Sequence, residues 1–155
     1  ADLAEVEARL AAVEAEADRL LDDLPEAAVL RAMPGVGPRV AAAVLASLPA
    51  EVWDNAKAAA ADAGVHPRRE QSGQRDRSRL SKQGHAGLRP YLFVAATVAV
   101  RYDADLAAFR DPLRRRGHAP ASATCAVMHT LLRRLMGRLR EFYAQQSAAA
   151  VAHAA

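Results

Sequence analysis

At 155 residues the chain is long enough for one domain with its own core, and its apolar share, rich in alanine and only 5% aromatic, favours closely approaching helices over a sheet of β-branched residues. An all-α fold is expected. The single cysteine, Cys125, rules out an internal disulfide and no cysteine-pair spacing suggests zinc; no apolar run nears the roughly 20 residues of a membrane span, and the acidic N-terminus is unlike a signal peptide, so a cytoplasmic protein without membrane contact is expected.

The net charge of +3 conceals a strong polarity. Residues 1–30 carry two basic and nine acidic groups, whereas residues 66–90 carry seven basic and two acidic, and residues 91–155 nine and four. An acidic arm in front of a basic body points to a polyanionic partner.

Leu3, Val6, Leu10, Val13, Ala17, Leu20 and Leu24 follow alternating three- and four-residue steps, the seam of a short heptad helix. With only about three heptads, residues 1–25 read as a helical linker or coiled-coil arm that needs a partner helix, from a second copy of the chain or elsewhere. Pro25 closes the arm. Residues 26–146 read as a compact helical domain and residues 147–155 as a frayed tail.

Within the domain, residues 26–48 (EAAVLRAMPGVGPRVAAAVLASL) predict a helix ending at Met33, a tight turn Pro34-Gly35-Val36-Gly37, and a second helix opening at Pro38. This is a helix-hairpin-helix pattern. Such a turn can aim backbone amides at a phosphate, with Gly35, Gly37 and Arg39 as the contacts; the same pattern also serves as a packing element or protein contact.

An alanine-rich helix over residues 51–63 with a stop at Gly64 leads into the longest polar run, Pro67 to Arg89. It reads as a long basic loop, with seven Lys or Arg against two acids, three serines and three glycines. Loops beyond about 12–15 residues inside a domain are usually functional or disordered. Arg68, Arg69, Arg75, Arg77, Arg79, Lys82 and Arg89 are candidate phosphate contacts, and Gly73 would let the backbone approach a phosphate closely.

Residues 88–102 predict a buried helix with Pro90 in its first turn; Asp103 can cap the next one, which Pro112 should kink or restart before a stop at Gly117. The last helix is expected from about Ala121 to Tyr143, with Val127, Leu131, Leu132, Leu135 and Leu139 on its core face. Cys125 and His129, four apart, could face each other, and core packing is the better account.

In order and spacing, LRAMPGVGPRVAAAVLASL, AGVHPRREQSG, SKQGHAGLRPYL and FRDPLRRRGHAPASA resemble the C-terminal domain of the DEDD-type insertion-sequence transposases, a family that includes Piv-type DNA invertases and bridge-RNA-guided recombinases. The arm resembles the helical linker that precedes this domain.

The resemblance implies DNA strand exchange by transesterification, with a serine of this domain as nucleophile and metal-binding carboxylates in a separate N-terminal RuvC-like domain. By position the nucleophile is Ser72, while Ser78 and Ser81 lie in the same basic run and stay in play. DNA, a structured guide RNA and a second copy joined through the arm are the implied partners. Mg2+ is expected in the N-terminal domain and no cofactor in this chain, because neither Asp22 and Asp23 nor Asp103, Asp105 and Asp111 form a metal constellation. The chain by itself is expected to bind nucleic acid without completing recombination. A non-enzymatic helix-hairpin-helix module that uses hairpin and loop only as phosphate contacts is the alternative.

Overall fold

A computed structural model describes residues 2–48, 55–65, 67–72, 75–80 and 85–154, with the backbone alone for 67–72, 75–80 and 153–154. The fold is all-α. Among the described residues seven helices form the body: α1 Leu3–Asp22, α2 Pro25–Arg31, α3 Pro38–Ser47, α4 Ala56–Asp62, α5 Leu88–Tyr102, α6 Ala104–Arg115 and α7 Pro120–Ala154.

The centre of the fold is α7, against which α2, α4, α5 and α6 all pack. Its inner face is buried at Val127, Met128, Leu131, Leu132, Leu135, Met136 and Leu139, which meet Leu30, Leu48, Leu88, Leu92 and Leu106 from the surrounding helices. Each fully buried leucine contributes about 1.5–3 kcal/mol, so this contiguous cluster is what holds the helices together. The alanines between them set the spacing. Ala41, Ala95, Ala96 and Ala99 are completely buried, which allows α3 and α5 to approach closely.

The helix ends follow the capping rules. The Asn55 side chain accepts from the Lys57 and Ala58 amides at the start of α4, and Asp103 Oδ1 accepts from the Leu106 amide at 2.9 Å at the start of α6. At the end of α4, Gly64 adopts φ +65° and the Val65 amide reaches back to the Ala60 carbonyl, the left-handed stop expected from the sequence. Pro90 sits in the first turn of α5, where its missing amide costs nothing.

Three expectations need correction. Pro112 does not restart a helix: α6 runs unbroken through it, because so near the C-terminal end the proline removes one ladder bond and the Arg116 amide still bonds the Pro112 carbonyl. The last helix does not end near Tyr143 but continues to Ala154, through alanines of the highest helix propensity with neither Gly nor Pro to stop it. The long basic stretch is not wholly irregular. Strands β1 Pro67–Ser72 and β2 Arg75–Leu80 pair antiparallel, with Ser72 opposite Arg75, Glu70 opposite Arg77 and Arg68 opposite Arg79 on alternate rungs.

The arm is a helix, as its pattern predicts, but it docks by a face rotated from the heptad seam. Glu14, Asp18, Leu21 and a single seam residue, Ala17, turn towards the body, with Leu21 buried, and α1 touches α2 and α3. The other seam residues, Leu3, Val6, Leu10, Val13, Leu20 and Leu24, are exposed, Leu3 at 71% and Val13 at 66%.

Candidate nucleic-acid interface

The hairpin is built from two short helices and a turn whose shape depends on one glycine. The Val36 amide bonds the Met33 carbonyl at 3.1 Å, and Gly35 takes φ +81°. A side chain there is strained and has no room: a Cβ would stand 2.4 Å from the Ala95 carbonyl oxygen and 2.8 Å from the Ala99 amide nitrogen. The turn is thus pressed against the backbone of α5, and Gly35 works as a packing residue.

Gly37 is different. It is exposed, precedes Pro38 as the N-cap of α3 with no side-chain cap, and a Cβ on it would meet nothing within 4 Å. The first-turn amides of α3 are left for solvent or an anion, in a helix end that carries partial positive charge.

Arg39, in that same first turn, does not stand alone. Its guanidinium pairs with Glu14 of the arm at 2.9 Å, both side chains about 40% exposed (40% and 42%). Arg31, the other basic residue of the hairpin helices, donates to Asp22 Oδ1 of the arm at 2.9 Å. Both cations of the hairpin are therefore neutralised by the acidic arm. Spacing in the sequence gives no sign of this, because it depends on how α1 folds back; the excess of acid in residues 1–30 is the one available hint.

The basic ribbon leaves and rejoins the body at one place. Val65 is bonded to the Ala60 carbonyl at the end of α4, and the His85 amide bonds the Asp62 carbonyl at 2.6 Å on the return. The ribbon register sets Ser72 opposite Arg75, with Arg77 and Arg79 on the next alternate rungs of β2. The side chains of Ser72, Ser78, Arg68, Arg69, Arg75, Arg77 and Arg79, and residues Gly73, Ser81 and Lys82 altogether, lie outside the described residues. Arg89 is not part of the ribbon: it is half-buried in the first turn of α5.

Cys125 and Tyr143, two side chains with nucleophilic atoms, are tied into the packing. Cys125 is half-buried against the core, and burial pushes its thiol above the usual range, which keeps it neutral. Tyr143 donates its hydroxyl to Glu26 Oε1 and meets Phe142 edge to face, with ring centroids 5.3 Å apart. Burial, together with the Glu26 hydrogen bond and negative charge, pushes the phenol up to about 12. Among the described residues no group of three or more His, Cys, Asp or Glu side chains could hold a metal ion, and no helix is long and apolar enough to cross a membrane.

No curated protein matches the chain. The family model described as "Transposase IS116/IS110/IS902 family" matches residues 27–111, a span that contains most of α2, the hairpin turn, α3, the whole ribbon, α5 and most of α6. That is more than half of the sequence, and the chain belongs to the IS116/IS110/IS902 transposase family.

Proposed function

We propose that this chain is the DNA-binding and nucleophile-bearing domain of a transposase that exchanges DNA strands by transesterification. The observation that supports the reading is the family match over residues 27–111, a span that includes the hairpin turn, Ser72 and the basic ribbon.

In the proposed step the Ser72 hydroxyl oxygen attacks a DNA phosphorus. A serine–phosphate ester forms, one phosphorus–oxygen bond of the strand breaks, the serine proton goes to a base, and the released DNA oxygen is protonated. A serine hydroxyl is a weak acid and the transferring group gains negative charge, so the step needs cations nearby. Arg75, paired with Ser72 across the ribbon, and Arg77 and Arg79 beyond it are the residues proposed for that role, with Arg68, Arg69 and Lys82 in the same segment. The ester keeps the energy of the broken bond available for joining a second strand.

Mg2+ would assist such an attack, held by carboxylates of the family's separate N-terminal domain. The exposed seam of α1 is proposed to pack on the arm of a second copy. The test is a strand-exchange assay with the complete transposase. Ser72→Ala should abolish exchange while leaving DNA binding nearly unchanged; unaltered exchange would remove Ser72 from the reaction.

A further inference from the structure

The outer face of α7 is interrupted by a glycine. Gly137 is half-buried between the exposed Arg133, Arg138 and Arg140, and a Cβ on it would meet nothing within 4 Å. Helix geometry places Arg133 and Arg140, two turns apart, along one side of this gap, and Arg134 and Arg138, one turn apart, along the other. Two clefts meet there, sharing Arg134 and Gly137.

The first cleft, about 480 Å³, is walled by the hairpin turn at Ala32, Met33 and Pro34, so the surface is continuous with the hairpin already described. The second, about 300 Å³, runs towards the start of α4 at Ala56. Its lining includes Arg133, Arg134 and Arg140 and no carboxylate.

The four arginines are not equivalent. Arg134 is committed to the fold: it donates to Asp103 Oδ2 at 2.7 Å, while the other oxygen of Asp103 caps α6, and it lies 3.7 Å from Asp105. Arg138 is 3.7 Å from Glu141, with both side chains 63% exposed, a pair worth little in water. Arg133 and Arg140 are exposed and have no ion pair among the described residues.

We infer that this arginine-bordered groove on α7 is a second contact for the phosphate backbone of double-stranded DNA, with Arg133 and Arg140, assisted by Arg138, as the binding groups. The proposal rests on the transposase reading above, which makes duplex DNA the partner. A planar guanidinium suits it, because its fork of donors matches a phosphate and its charge persists at any working pH. Arg134 is a positioning residue that fixes the groove wall through Asp103.

The test is fluorescence anisotropy of a labelled duplex with the full chain across about 50–200 mM salt. Arg133→Gln/Arg140→Gln should flatten the slope of log affinity against log salt by about 1.8 and weaken binding at low salt on the order of tenfold. Its thermal unfolding should match wild type, and Arg133→Lys/Arg140→Lys should restore the slope. Wild-type affinity and slope in the Gln double variant, alongside loss of affinity in Arg39→Gln, would overturn the groove and leave the DNA-binding reading standing. Absence of salt-sensitive duplex binding by wild type would reject both.

Discussion

Arg39, the basic residue best placed to meet a phosphate at the hairpin, is held by Glu14 of the arm at 2.9 Å. A DNA phosphate at the start of α3 would compete with that carboxylate. Glu14→Gln should therefore tighten duplex binding at low salt, by up to about fivefold given the modest worth of an exposed ion pair, and the gain should fade as salt rises. Anisotropy titration of the two proteins checks this; equal affinities at low salt would mean that Arg39 does not meet DNA.

The two hairpin glycines should separate cleanly. Gly35→Ala places a methyl group 2.4 Å from the Ala95 carbonyl oxygen in a left-handed backbone, and should cost about 3 kcal/mol or more of stability. Gly37→Ala, with open space around the position, should change stability by about 1 kcal/mol or less. Urea unfolding of both variants measures the contrast.

How far the sequence carried these points depends on whether the physics is local. The turn at Pro34–Gly37, the Asp103 cap, the stop at Gly64 and the core face of α7 are written in short patterns, and the structure has them all. Pro112 reads as a break by the rule for helix interiors, but it falls in the last turns of α6, where a lost bond matters less. The docked face of α1 is not legible in the heptad spacing, because the apolar seam shares only Ala17 with the Glu14, Ala17, Asp18 and Leu21 face that meets the body. Likewise the close approach of α5, which leaves no room for a side chain at Gly35, is not written in the turn motif.

Asp18 bears on how firmly the arm is held. Its Oδ1 is buried with no hydrogen-bond partner among the described residues. A buried acceptor without a donor typically costs about 1–3 kcal/mol, so Asp18→Ala should be neutral or stabilising, against the usual direction of a substitution at a docked face. Thermal unfolding with circular dichroism checks the sign.

Tyr143 supplies a pH prediction. The folded phenol is pushed up to about 12 from an ordinary value of 10.0, so between those values the unfolded chain loses a proton that the folded chain keeps. Stability from this group is present below pH 10.0 and is lost as pH rises towards 12. The loss over that window should shrink in Tyr143→Phe, measured by urea unfolding at stepped pH.

The central claim is that Ser72 is the residue that becomes joined to DNA. Its most direct measurement is trapping of the covalent protein–DNA adduct formed by the complete transposase, followed by peptide mapping by mass spectrometry. The expected result is a nucleotide-bearing peptide with the modification on Ser72 and none in Ser72→Ala; an adduct on Ser78, Ser81 or Tyr143, or one that survives Ser72→Ala, would contradict it.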